Sequence, residues 1–179
     1  MTREATLAEG TPGGFAAVYP VLKLMEETGS VRRGYFVAGL GAAQFAHPGA
    51  VDRLRTLREG GVADDEVVTL AAADPAQPDG AALAWPETAG RPSRSAGAYV
   101  VLANGEPAAF LERGAKTLVT FGTDPARWAD ALAALVKDGR VRRIELRQID
   151  GTAAGDHPAA ARLREVGFAD GYRGLTLRG

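Results

Sequence analysis

Cysteine is absent from the 179 residues, which excludes disulfides and thiolate metal sites. Histidine occurs twice, at His47 and His157, each followed by proline in a turn-like setting and without the company a metal site needs. Lysine is nearly absent: Lys23, Lys116 and Lys137 are the only ones among 21 basic residues. The positive charge is therefore almost all arginine, which forks onto phosphates and stacks on bases, although a GC-rich genome produces the same bias. No run of about 18 apolar residues exists, so no membrane-spanning helix is expected. The opening Met1-Thr2-Arg3-Glu4 lacks the apolar core of a secretory signal, and the cytoplasm is the expected location.

Acids and bases nearly cancel, leaving a formal net charge of −1 that points neither towards nor away from a polyanionic partner. Hydrophobic residues make up 46% and charged residues 24%, an ordinary globular composition rather than a disordered one. The length suits one compact unit or two small ones sharing a core. The distribution of the arginines carries more information than their total.

Three regions differ in pattern. In residues 1–60 a short helix around Arg3 to Glu9 ends at Gly10, and Thr11-Pro12-Gly13-Gly14 makes a turn. Phe15, Val18, Tyr19, Leu22 and Met25 then recur at helical spacing, with Gly29 as the residue after the helix and Pro20 as a kink or shifted start. Val31 to Val37 reads as a strand, Gly39-Leu40-Gly41 as a turn and Ala43 to Ala46 as a return strand. A helix from Pro48 follows, with Val51, Leu54 and Leu57 on one face. Helix, turn, helix and hairpin is the order of a winged-helix domain without its first helix.

Residues 61–123 change to β structure. Val67 to Ala72, Tyr99 to Ala103, Ala108 to Glu112 and Thr117 to Phe121 are short apolar runs; Asn104-Gly105 is a strong hairpin signal. Asp64-Asp65-Glu66 reads as a solvated acidic turn. In residues 124–179, Asp124-Pro125 is an N-cap with proline at the first helical position, opening a helix to Lys137 that buries Trp128, Leu132 and Leu135. Val141 to Ile149 reads as a strand, Pro158 to Val166 as a helix and Gly174 to Leu177 as a last strand. The expected fold is α+β: a partial winged helix (1–60), a small β-barrel-like hairpin module (61–123) and an α/β closing segment packed on it (124–179).

Three stretches carry a family resemblance. The first is Gly14-Phe-Ala-Ala-Val-Tyr-Pro-Val-Leu22, leading to Glu26-Glu27. The second is Val31-Arg-Arg-Gly-Tyr-Phe-Val-Ala-Gly-Leu-Gly-Ala-Ala-Gln-Phe-Ala46, followed by Gly49-Ala-Val-Asp-Arg-Leu-Arg55. The third is Ala73-Asp-Pro-Ala-Gln-Pro78 with Gly80-Ala-Ala-Leu83, Trp85-Pro86 and Arg113-Gly114. Together they resemble the C-terminal region of Lhr-type large helicase-related proteins, a branch of the superfamily 2 DEAD/DEAH-box helicases, and the likeness weakens after about residue 123.

The resemblance implies ATP-driven motor lobes followed by winged helices and a β-barrel-like module. No Gly-x-x-x-x-Gly-Lys-Thr/Ser loop and no Asp-Glu-x-His box is present, so the motor's ATP and Mg stay with the parent, and no cofactor is expected in this chain. The implied role is a nucleic-acid-binding accessory segment in DNA repair. Its partners would be DNA, single-stranded or at a duplex junction, and the parent's motor domains, with homo-oligomerisation possible.

Candidate contacts follow. Arg32 and Arg33 on the wing would meet phosphate and Tyr35 could stack on a base, or they form a solvated strand beside a core-facing tyrosine. Because strand side chains alternate, only one arginine joins a given face. Gln44 lies on the return strand and Arg53 on the following helix. Gly13-Gly14 would offer backbone N–H groups to a phosphate, or serve as a plain turn. The architecture also resembles winged-helix DNA glycosylases, whose active pattern is Gln with Gln or Asp two apart on a strand. Gln148-Ile149-Asp150 has that spacing and could orient a water, though Asp150-Gly151 is equally a turn signal. A structural or oligomerising module is the remaining alternative.

Overall fold

The computed structural model describes residues 1–41, 43–60 and 66–179. Asp64 and Asp65 of the expected acidic turn, and Ala42 beside Gln44, lie outside the described residues. The chain forms two compact units, one of Met1–Val62 with Pro78–Ala84 and one of Ala63–Gln77 with Trp85–Gly179.

The first unit begins with α1 (Arg3–Ala8), whose N-cap Thr2 hydroxyl accepts from Ala5 N at 3.1 Å. Helix α2 (Gly14–Glu27) follows and contains Pro20 without interruption. It ends as the sequence suggests: Gly29 is left-handed at φ +75°, and Ser30 N–H and Gly29 N–H donate to the carbonyls of Met25 and Glu26. Those bonds satisfy the carbonyls that a helix end otherwise leaves open. Strands β1 (Arg32–Gly34) and β2 (Gln44–Ala46) make an antiparallel hairpin, and α3 (Pro48–Gly60) follows it. The core here is small: Phe15, Val31 and Phe45 are buried, with Val18, Tyr19 and Leu22 packed against them. Of the expected apolar face on α3, Val51 is buried but Leu54 and Leu57 are each 46% exposed.

The second unit carries the main core. Strands β3 (Val67–Ala71), β4 (Tyr99–Ala103), β5 (Glu106–Leu111) and β6 (Thr117–Thr120) pair antiparallel in succession. The β4–β5 turn is Asn104-Gly105, both at positive φ, the geometry that Asn-Gly selects. A 3₁₀ turn (Pro125–Arg127), capped by Asp124 accepting from Ala126 N at 2.9 Å, precedes α4 (Ala129–Lys137). The proline and cap therefore open a 3₁₀ turn rather than the α-helix itself.

The expected strand from Val141 to Ile149 is two strands in two sheets, β7 (Arg143–Leu146) and β8 (Gln148–Ile149). β8 runs parallel to β6 and antiparallel to β9 (Thr152–Ala153). After α5 (Ala160–Glu165), strands β10 (Ala169–Gly171) and β11 (Gly174–Arg178) form a hairpin that pairs with β7. The switch falls at Arg147, where Arg147 N–H donates to the Lys116 carbonyl at 2.8 Å. Each half finds its hydrogen bonds on a different neighbour, which hydropathy cannot register.

Expected and observed sheets differ. Among the described residues the larger sheet has the order β3-β4-β5-β6-β8-β9 and remains open, with β3 and β9 as its edges, so the barrel-like expectation is replaced by an open mixed sheet. One apolar cluster joins Val101, Leu111 and Leu118 to Trp128, Leu132 and Leu135 of the helical region and to Ile144, Leu163 and Leu175. Each fully buried leucine contributes roughly 2 kcal/mol through removal of apolar surface from water. A second cluster on the other side of β4 and β5 holds Val100, Phe110 and Val119 under Trp85, which stacks on Phe121. The fold is α+β, and no described helix is long and apolar enough to cross a membrane.

Candidate nucleic-acid interface

The hairpin of the first unit is built from the inside out. Phe45 is 2% exposed and meets the Tyr19 ring edge-on at 5.9 Å, so β2 is fixed on α2. Across the hairpin Arg33 pairs with Phe45 and Arg32 with Ala46. Arg33 turns back onto α2: its guanidinium lies 3.4 Å from Glu26 and donates to the Tyr19 hydroxyl at 3.4 Å. Arg32 is exposed and has no ion pair or side-chain hydrogen bond among the described residues. Tyr35, beyond the end of β1, is 80% exposed, so it is not the core-facing residue of the alternative reading. Among its described residues the hairpin thus offers one uncommitted guanidinium and, just beyond β1, one open ring. Arg53 on α3 is likewise exposed, whereas Arg55 is tied to Asp52 at 3.4 Å.

Gln44 is a correction. Expected to meet nucleic acid, it is 1% exposed. Its Oε1 accepts from the backbone N–H groups of Phe36 and Val37, both at 2.9 Å, and its Nε2 faces the carbonyls of Val37, Leu40 and Gly41 at 3.0 to 3.3 Å. Those N–H donors also fix which amide atom is oxygen. The expected extension of β1 to Val37 fails for the same reason: the backbone there bonds to a side chain instead of a strand. Gln44 shapes the loop that carries Tyr35 and makes no outward contact.

Gly13 and Gly14 also fall short of a phosphate cradle. Both have positive φ, and a Cβ on Gly13 would stand 2.8 Å from that of Ala17, so glycine is needed to let the chain enter α2. Gly14 N–H already donates to the Thr11 carbonyl at 2.8 Å. The turn reading accounts for the pair.

Gln148 and Asp150 do not share a strand face. β8 stops at Ile149, and Asp150 and Gly151 are both left-handed, forming the two-residue turn into β9. Gln148 is exposed, while Asp150 Oδ1 accepts from Thr120 N at 2.7 Å and Oδ2 from the Thr120 hydroxyl at 2.6 Å. His157 Nε2 stands 3.6 Å from Oδ2. With both oxygens engaged, Asp150 locks a turn onto β6 and is unsuited to activating a water.

Two features escaped the sequence reading. One is this Thr120–Asp150–His157 junction, whose members are 30 and 7 positions apart and signal nothing locally. The other is a basic surface of the second unit. Arg143 and Arg147 both grip Glu145, at 3.0 and 2.8 Å. Bonds from Arg147 hold the Glu145 carboxyl below its ordinary value, and the charges of Arg143 and Arg173 add to this. The run Arg140-Val-Arg-Arg143 was visible but has no periodicity to mark it.

The helix–hairpin–helix unit with its exposed arginine and ring is that of a winged-helix domain. Residues 1–66 match the family model for the winged-helix domain of the large helicase-related protein. Beyond it, 99% of the chain aligns at 44% identity with "Lhr helicase/ probable uracil glycosylase" of Mycolicibacterium smegmatis, and 98% aligns at 34% identity with "Lhr helicase/uracil glycosylase" of Escherichia coli. The chain belongs to the Lhr family. It spans 13% and 12% of the length of these two relatives.

Proposed function

We propose that this chain is an accessory module that engages DNA, single-stranded or at a duplex junction, for a helicase motor working in DNA repair in the cytoplasm. The observation that carries the reading is the wing: Arg32 without a partner among the described residues and Tyr35 open to solvent, on a hairpin held rigid by Phe45 and Gln44. A guanidinium there meets phosphate, and the ring provides a face for a base. ATP and Mg act on the parent's motor lobes; this chain binds and orients the nucleic acid.

Fluorescence anisotropy of labelled single- and double-stranded DNA across a salt series tests it. The expected result is binding that falls steeply with salt, with the slope reporting how many phosphates are neutralised. An absence of binding at low salt would move the DNA-binding surface elsewhere in the parent.

Two specific observations favour other readings. Val21 and Leu24, one helical turn apart on α2, are 58% and 60% exposed, and Leu54 and Leu57 on α3 are also open, apolar side chains suited to cover by the motor domains or a second copy. Sedimentation velocity separates that assembly role from binding. Both relatives also bear uracil glycosylase in their names. Incubation with uracil-containing DNA tests that activity, for which Asp150 is not the base offered here.

A further inference from the structure

We infer that the second unit carries its own surface for single-stranded nucleic acid, running from the tip of the β10–β11 hairpin along Arg147 and Arg143 to Arg142. It rests on the DNA-engaging reading above and adds a second, separate binding surface to it.

The surface is held together around one carboxylate. Glu145 is bonded by Arg143 and Arg147 and feels the charge of Arg173 as well, so three guanidiniums share one acid and the cluster is net positive. Lys116 is exposed on the neighbouring turn, and its carbonyl takes the N–H groups of Arg147 and Gln148. Arg142 is exposed with no ion pair or side-chain hydrogen bond among the described residues. Together with Arg143, Arg142 lines a concavity of about 280 Å³ between Tyr99 and Gly114. That is at the lower end of small-ligand pockets, about 300 Å³.

At the other end stands Tyr172, which is fully exposed, beside Arg173 at the turn between β10 and β11. A fully solvated tyrosine at a hairpin tip gains nothing from the core, so packing does not explain it. The tip is also placed firmly. Gly174 has φ +135°, and a Cβ there would collide with the Leu146 carbonyl and come within 3.1 Å of Arg147 Cα. β11 therefore approaches the end of β7 at a distance only glycine allows, which sets Tyr172 and Arg173 beside the arginine cluster. Cations in a line with an open aromatic at one end are what a strand with unpaired bases needs: charges track the phosphates and the ring stacks on a base. A duplex hides its base faces and would use only the charges.

The test is anisotropy of a short fluorescein-labelled oligothymidylate, titrated with the full chain across a salt series. Tyr172→Ala, and separately Arg142→Ala with Arg173→Ala, change side chains that make no hydrogen bonds among the described residues, and unchanged melting curves confirm that the fold is intact. Tyr172→Ala should weaken binding about fivefold or more without altering the salt slope, because it removes stacking and no charge. The arginine pair should lower the magnitude of the slope by roughly 0.7 for each phosphate that is no longer neutralised. Should the wild type bind, Arg32→Ala weaken it, and both second-unit variants match the wild type in affinity and slope, this surface is overturned while the wing reading stands. Failure of the wild type to bind at low salt overturns both.

Discussion

Asp150 and Thr120 are joined twice, backbone to Oδ1 at 2.7 Å and hydroxyl to Oδ2 at 2.6 Å, and the bond pair ties the β8–β9 turn to β6. Asp150 also occupies a left-handed conformation, φ +51°, which Asp and Asn tolerate better than alanine. Asp150→Ala should therefore cost about 2–3 kcal/mol in denaturant unfolding, from charge-assisted bonds removed and backbone strain added. Asp150→Asn, which keeps the conformation and an acceptor, should cost markedly less. Equal losses from the two variants would remove the junction as a structural device.

Gln44→Leu is expected to release the loop from Phe36 to Gly41 while leaving the hydrophobic volume nearly unchanged. Two backbone donors and three carbonyls lose their partner together, a loss of about 2 kcal/mol or more. Amide hydrogen exchange at Phe36 and Val37 reports it directly. Protection that persists in the variant would show that other groups hold the loop.

Both sites show what the sequence could and could not reveal. Gly29, Asn104-Gly105 and Asp124-Pro125 were readable because each fixes backbone geometry within a few residues. Trp128, Leu132 and Leu135 were readable because they repeat at helical spacing. Gln44 looked like a surface polar residue on a wing strand; its burial depends on a loop that folds back over it. The strand from Val141 to Ile149 looked continuous because sheet switching at Arg147 leaves hydropathy unchanged. The basic surface depends on Arg173 reaching Glu145 from 28 positions away, a proximity made only by the pairing of β11 with β7.

Gly174→Ala should destabilise the second unit by more than about 1 kcal/mol, since positive φ and the Leu146 carbonyl both oppose a side chain. Gly139→Ala, also at positive φ but with open space around its Cβ position, isolates the conformational part. Thermal unfolding of the two variants measures the difference. A smaller effect at Gly174 than at Gly139 would contradict the close approach of β11 to β7.

Glu145→Gln should act in opposite directions on stability and binding. The Glu145 carboxyl is lowered chiefly by Arg147, and that of Asp170 by Arg164. A folded-state value below the unfolded one adds stability at higher pH, and that stability is lost as pH falls through the folded value. The melting temperature should accordingly drop as pH falls below the ordinary values of 4.5 and 3.8, and the drop should be smaller in Glu145→Gln. The same substitution leaves Arg143, Arg147 and Arg173 without their counter-charge, so oligonucleotide affinity at neutral pH should rise. Unchanged affinity would detach Glu145 from the binding surface.

The wing is tested most directly by comparing two paired substitutions in one anisotropy salt series with single-stranded and duplex DNA. Arg32→Ala with Arg33→Ala should weaken binding more than Arg127→Ala with Arg140→Ala, with most of the loss already present in Arg32→Ala because Arg33 is held by Glu26 and Tyr19. Arg140 is in turn committed to the Thr69 carbonyl and the Tyr99 ring. Equal losses from the two pairs would contradict the wing as the principal binding element.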